Sequence, residues 1–278
     1  MISNLPMRTL KILTNIIILL FTLSAIFPII WMLYTSFKTN PEFMSKILSL
    51  PESPTIANYI KSFQIGQLGY ALISSIFNTV ITVPLIILFS FILAYFFARF
   101  KFRGKGLIFG MLTLGMLVPL HSLLVPLFVQ FKTMGMLDNR FTLILPYIAF
   151  NLPLSVFLFY SFIRDIPTEI EEAAYIDGSS FDRTLFKIIL PISMPMIATV
   201  AILNVLHVWN EFPFALVLNK SPEYYTLPVW LTFFNGAYTT DYTGKITGLV
   251  ITSLPTIVLY LFFSRNIILG MTSGSVKG

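Results

Sequence analysis

The 278-residue chain is 56% apolar and 15% aromatic but only 11% charged, against about a quarter charged in an ordinary soluble domain. That balance excludes a single water-soluble core, because so few polar side chains cannot cover so much apolar surface, and it points to a chain bathed in lipid. The net charge of +6 suits a membrane surface better than nucleic acid, since the basic residues gather in short loops instead of forming a stripe. Cysteine is absent, so no disulfide framework is called for.

In chain order, spans of about twenty apolar residues fall at 12–35, 71–98, 106–131, 141–163, 192–218 and 246–264. The expected fold is therefore all-α, a polytopic membrane protein of about six transmembrane helices with both termini on one side. Basic residues orient it. With the termini in the cytoplasm, Arg8, Lys11, Arg99, Lys101, Arg103, Lys105, Arg164, Arg183, Lys187, Arg265 and Lys277 lie inside, eleven of the eighteen Lys and Arg. The loop from Arg99 to Lys105 is decisive, having four positive charges and no acid. The first run is long and has no small-x-small exit, which argues for an uncleaved span over a signal peptide.

Residues 38–70 read as an external loop punctuated by Pro41, Pro51 and Pro54, to which no chemistry is assigned. Trp31 and Tyr34 before it suit an interfacial aromatic belt. The third span carries Pro119, His121 and Pro126, sites of kinks that neighbouring helices can accommodate. Gly106 and Gly110 suggest close helix packing, and His121 reads as a satisfied core histidine with a proton relay as the alternative.

Between the fourth and fifth spans lies the most polar stretch, 164–191. It holds six of the chain's twelve acidic residues: Asp165, Glu169, Glu171, Glu172, Asp177 and Asp182. Thr168 and Glu171 behind Pro167 suggest a capping box, Gly178 a helix stop, and Ser179 with Asp182 a second helix start. In that second helix Phe181, Leu185, Ile188 and Ile189 share one face, suited to resting on the membrane helices, while Arg183 and Lys187 point away. The first helix offers only Ala173 and Ala174 for packing, flanked by acids, and so implies a protein partner.

The fifth span ends in His207-Val208-Trp209-Asn210-Glu211-Phe212-Pro213. A carboxylate inside an apolar segment costs roughly 2.5–3.5 kcal/mol when central, so Glu211 is expected to face a polar cavity or a partner group. A Trp, an Asn and a carboxylate, as in Trp209, Asn210 and Glu211, are side-chain types suited to bind sugars by ring stacking and hydroxyl hydrogen bonds; pairing of Glu211 with a group in a partner chain is the alternative. A second external loop, 219–245, is rich in aromatics, and reads either as a probe or as a folded interfacial cap.

The spacing Glu172-Ala173-Ala174, three residues, Gly178, nine residues, Ile188, one residue, Leu190-Pro191 matches the EAA signature, and the chain thereby resembles membrane subunits of binding-protein-dependent ABC importers. The openings Phe27–Lys38 and Pro54–Tyr59 and the run Trp209–Phe212 resemble the carbohydrate-uptake branch, and the tail Gly270–Gly278 is similar to that of the second membrane subunit of the maltose importer. The resemblance implies one permease domain over 1–278, with a coupling loop at 164–191. Its ATPase-docking residues would be Glu171, Glu172, Ala173, Ala174, Asp177 and Gly178, its substrate path Trp209, Asn210 and Glu211, and its binding-protein contact Tyr238, Thr239, Thr240 and Asp241. It also implies a multi-pass cytoplasmic-membrane location, a second permease subunit in a heterodimer, two ATP-binding subunits holding ATP and Mg, an extracytoplasmic solute-binding protein and a sugar substrate.

No cofactor is expected on this chain itself. Neither Gly104-Lys105 nor Gly244-Lys245 follows a glycine at the spacing of a phosphate-binding loop, and two histidines without cysteine make no metal cluster. A proton-coupled carrier using Glu211 and His121 is the alternative from another class; six spans without a repeat weigh against it. A membrane enzyme lacks any catalytic constellation.

Overall fold

The computed structural model describes residues 7–64, 68–234 and 241–273, and among these every regular element is helical. They form two units, 1–66 with 231–253 and 67–230 with 254–278.

The first unit opens with α1 (Met7–Thr35), whose side chains from Lys11 to Ile30 are all exposed. A helix apolar on every side has no inward face to choose, which suits lipid. The proline-rich loop that follows is folded. Lys38 is fully buried, and its Nζ donates to the carbonyls of Lys46 (2.8 Å) and Ile47 (3.4 Å) and to Ser49 Oγ (3.3 Å). Lys46 caps the C-terminal end of α2 (Asn40–Ser45), so the ammonium sits where helix carbonyls carry partial negative charge. In α3 (Ala57–Gln64), Asn58 donates to the carbonyls of Ser36 and Lys38.

In the second unit α4 (Leu68–Arg99) is 32 residues long, or about 48 Å at 1.5 Å per residue, enough to cross the hydrocarbon and project beyond it. Next come α5 (Lys105–Leu114), two 3-10 turns, α6 (Leu124–Thr133), α7 (Ile144–Asp165), α8 (Glu169–Ile176), α9 (Phe181–Thr184), a wider π turn at Leu185–Ile189, α10 (Leu190–Ile192), α11 (Met194–Asn210), α12 (Pro213–Leu218) and α13 (Leu227–Trp230). The last helix, α14 (Tyr242–Ser273), contributes its first turns to the first unit and the rest, with Pro255, to the second, and covers the residues expected as a sixth span. One core joins Phe91 and Tyr95 of α4, Phe159 and Ile163 of α7 and Val200 of α11 with Leu185 and Ile189, as the face predicted for the second loop helix requires. A second joins Val83, Leu143, Tyr147, Val208, Phe214 and Leu218.

Among the described residues three helices are long and apolar enough to cross a bilayer, Lys11–Thr35, Leu68–Arg99 and Ile144–Asp165, and up to five if each of two bent pairs is one span. The kinks expected at the prolines of the third span take the form of a sharp bend. The third span turns by 94° between Lys105–Leu117 and Leu120–Thr133, at Val118, which is extended (φ −74°, ψ 121°) as a residue before proline prefers. A 74° bend at Ser193 separates the loop segment Phe181–Ile192 from α11 at the start of the expected fifth span, and α11 stops at Asn210, not 218, where Glu211 becomes extended and Pro213 opens α12.

Other expectations shift too. A Cβ on Gly106 or Gly110 would meet nothing within 4 Å, so neither glycine serves close packing within the chain; one on Gly115 would lie 3.2 Å from Pro153 Cγ, making that the close approach. The Thr168–Glu171 capping box does not form, since Thr168 is helical (φ −68°, ψ −23°) and the Glu171 carboxylate is engaged elsewhere.

Asp138, between α6 and α7, adopts φ 55° and binds the Lys220 and Ser221 amides (both 2.8 Å) and the Ser221 hydroxyl (2.6 Å). Partial burial pushes its carboxyl up, but these donors together outweigh that and hold it below the usual carboxylate value. A depressed folded value means that the stabilisation is present above the unfolded pKa of about 3.9 and is lost as pH falls through the folded one. Asp138→Asn is expected to lower stability at pH 7 by about 1 kcal/mol, modest because the loop is open to solvent, with the deficit fading below about pH 4. A thermal-shift difference that stays constant from pH 7 to pH 3 would contradict this.

Candidate functional site

The acidic loop between α7 and α10 is built around α8. Its end is set by Gly178 at φ +78°, with the Gly178 amide donating to the Tyr175 carbonyl (3.0 Å) and the Ser179 amide to that of Ala174 (2.9 Å). This Schellman pairing closes the helix and needs the left-handed conformation that glycine adopts without strain. Glu172, Ala173, Asp177 and Gly178 are exposed as expected, whereas Ala174 turns inward.

Glu171 departs from the docking set. It is 6% exposed, accepting from Tyr95 Oη (2.6 Å) and pairing with Arg99 Nε, while Arg99 Nη2 donates to the Ile166 carbonyl (2.9 Å). An inward carboxylate offers nothing to a partner, so its place is in holding α8 to the body of the chain. The outward face instead adds two residues that the sequence reading passed over, Tyr175 and Ile176, the latter 87% exposed. Their signal was present, in large apolar side chains on a helix whose buried face is only Glu171 and Ala174.

The second site is a cavity of about 360 Å³ at the bend of the third span and the end of α11. Its polar lining is His121, Tyr147, Asn151, His207 and Glu211, and its apolar walls include Phe150 and Phe214, whose rings stack at 5.0 Å. Glu211 looks inward, as its cost in the membrane demands. Its carboxylate accepts from Tyr147 Oη (2.7 Å) and from the amides of Phe214 (2.7 Å) and Ala215 (3.1 Å), thereby capping α12. His207 Nδ1 lies 3.0 Å from Asn151 Oδ1, and Asn151 Nδ2 donates to the Tyr147 carbonyl, which fixes the amide between them.

The other two residues of the expected path lie elsewhere. Trp209 is 4% exposed and packed inside, so its ring has no free face for stacking, and Asn210 is exposed with its amide bonded to the Leu206 carbonyl. The end of the helix explains the separation: Trp209 and Asn210 close α11 on different faces, about 100° apart, while Glu211 is already extended (φ −68°, ψ 128°) and turns towards the start of α12. His121 is not a core histidine. Pro119 breaks the helix just before it and leaves it exposed on the cavity rim.

Of the expected binding-protein contact, Tyr238, Thr239 and Thr240 lie outside the described residues. Asp241 is committed to its own unit, accepting from Lys61 Nζ (2.6 Å) and the Gly244 amide (2.9 Å) at the start of α14. A Cβ on Gly244 would fall 2.8 Å from Asp241 Oδ2 and from the Phe234 ring, so glycine is required there.

Comparison with known proteins supplies the family. Residues 53–269 match the family described as the binding-protein-dependent transport system inner membrane component. A protein of Caldicellulosiruptor sp. (strain Rt8B.4), named for an ABC transporter permease (ORF2), is 40% identical over 264 residues, 95% of this chain and 96% of that protein. The diacetylchitobiose uptake system permease protein of Streptomyces coelicolor is 32% identical over 272 residues, 97% of this chain and 90% of its own length. The crystal structure of a bacterial ABC transporter involved in the import of the acidic polysaccharide alginate shares the fold, with a TM-score of 0.81 and 24% identity over 93% of this chain and 96% of that one. The chain belongs to the binding-protein-dependent inner membrane component family and is a permease subunit of an ABC importer.

Proposed function

We propose that the chain admits a carbohydrate to the cytoplasm by alternating access, paired with a second permease subunit and driven by two ATP-binding subunits that hold ATP and Mg. The observation that carries this is the outward face of α8, where the docking signature Glu172-Ala173…Asp177-Gly178 is presented with Tyr175 and Ile176 on a helix closed by a left-handed glycine. The carbohydrate class rests on relatives named for sugar uptake, such as the diacetylchitobiose permease. The cavity suits such a cargo, since aromatic walls cover the apolar faces of a sugar ring while His121, His207 and Glu211 meet its hydroxyls. The proton-coupled reading is not retained: it rested on Glu211 and His121, and three donors already hold the Glu211 carboxylate as a structural cap.

The chain contributes no ATP site of its own and lies in the cytoplasmic membrane with both termini inside. Contact with the binding protein is assigned to Tyr238, Thr239 and Thr240, with Asp241 as the post from which that segment leaves α14.

Glu172→Lys reverses charge on the exposed face and touches no internal bond. Transport by the reconstituted importer is expected to fall at least tenfold with membrane insertion unchanged, and normal uptake would remove α8 from the dock.

Glu211→Gln keeps the shape but sets an amide donor among donors. Uptake is expected to drop severalfold and to be equally indifferent to an imposed pH gradient before and after substitution. Loss of a gradient dependence present in the parent would revive proton coupling.

Topology is tested by single cysteines, Ser45→Cys and Phe102→Cys, in sealed cells: a membrane-impermeant thiol reagent should modify the first and spare the second. Equal modification of both would overturn the orientation.

A further inference from the structure

We propose that Arg99 and Tyr95 are positioning residues of the transport cycle: they grip Glu171 of α8 and the end of α7 together, so that a displacement of α8 is delivered to α4 and α7. This rests on the reading of α8 as the dock for the ATP-binding subunits. The grounds are in the geometry. Only Glu171 and Ala174 are buried in α8, so the Glu171 carboxylate is the one buried polar group by which the helix is held, with the half-exposed Tyr175 also interacting with Tyr95. That carboxylate is bound twice by the last turns of α4, through Tyr95 Oη and Arg99 Nε. The same guanidinium reaches the Ile166 carbonyl, immediately beyond α7, and the planar fork lets one side chain hold two elements in a fixed relation.

Stability alone accounts poorly for such a joint, because replacing a buried ion pair by apolar groups is often neutral or favourable. What a charged fork adds is direction. Its bonds resist sliding of α8 along the apolar surface, where packing of Ala174 alone would give way. Farther along α7, Tyr147 bonds the cavity's Glu211, so the helix held at one end by Arg99 lines the cavity at the other. The placement of these groups shows a continuous contact path; the energetic coupling is what requires measurement.

The test uses the complete reconstituted importer with its binding protein and cargo, and reads cargo moved per ATP hydrolysed. Arg99→Lys keeps the charge and loses the fork; Tyr95→Phe removes one hydroxyl and no charge. The ratio is expected to fall at least fivefold for Arg99→Lys and about twofold for Tyr95→Phe, while stimulated ATP hydrolysis stays within about twofold of the parent. The exchange Arg99→Glu with Glu171→Arg should recover part of the ratio. A merely structural role would lower the yield of assembled complex and leave the ratio of the remainder unchanged, and that result overturns the proposal. Hydrolysis and uptake falling in proportion also overturns it, because the residues would then act on docking itself. If Arg99→Lys fails to assemble, an unchanged ratio in Tyr95→Phe overturns the proposal and a reduced one sustains it. Failure of the docking reading is separate: Glu172→Lys would then transport normally whatever these variants do.

Discussion

Every helix end in a chain this apolar exposes backbone amides or carbonyls that hydrocarbon cannot satisfy, each at a cost of several kcal/mol. The few charged side chains answer that demand to an unusual degree. Glu211 covers the amides that open α12, Asp241 those that open α14, Lys38 the carbonyls that close α2, and Asp138 the amides of Lys220 and Ser221. At Glu211, inside an expected span, a charge that would be expensive alone is stabilised by amides that would be expensive uncovered; at Asp138, Lys38 and Asp241, in the loops outside the spans, the same pairing holds where solvent lessens both costs. The break after Asn210 follows the same rule at its far side, since the carboxylate one residue on accepts from the amides that open the next helix.

That economy bears on function. A transporter must open a polar passage without tearing its backbone bonding, and a cavity at pre-formed breaks meets the requirement. Pro119 and Pro213 already lack the amide that an unbroken helix would use, so rearrangement near them sacrifices fewer hydrogen bonds than bending a regular span. Both breaks meet at the cavity, whose rim carries His121 from one and Glu211 from the other.

Much of this was legible in the sequence. Apolar run length marked Leu68–Arg99 and Ile144–Asp165 to within a few residues, and Gly178 announced its left-handed turn through the need to stop a helix before the next cap. The angle of the break at Pro119 was not legible, because a proline in a membrane helix is compatible with anything from a mild kink to a corner, and tertiary packing that the local sequence does not carry decides which. Glu171 was misread for a similar reason. Three residues after Thr168 it has the spacing of a capping box, a local pattern worth about 1 kcal/mol, and the long-range partners Tyr95 and Arg99 outbid it with a desolvated charge pair. Arg99 likewise looked like one more cytoplasmic anchor until its partner, 72 residues away, was in place.

The two sites are thus joined by residues that a motif reading places in neither. Tyr95 and Arg99 belong to α4, Tyr147 to α7, and none lies in the EAA signature or in the run Trp209–Phe212. Between Tyr147 and Ile166 runs about 28 Å of helix at 1.5 Å per residue, nearly the thickness of the hydrocarbon. Pro153 lies within it, and the Asn151 amide, which donates to Tyr147, accepts from His207 just before that proline. A rod with one polar fastening at the α8 end and others at the cavity transmits displacement only as well as its middle resists bending, so under the proposed coupling the stiffness of α7 at Pro153 would set how much movement of α8 reaches Glu211. Gly115 approaches that proline closely enough that a Cβ would crowd its ring, a close contact in the third span that Gly106 and Gly110 do not make.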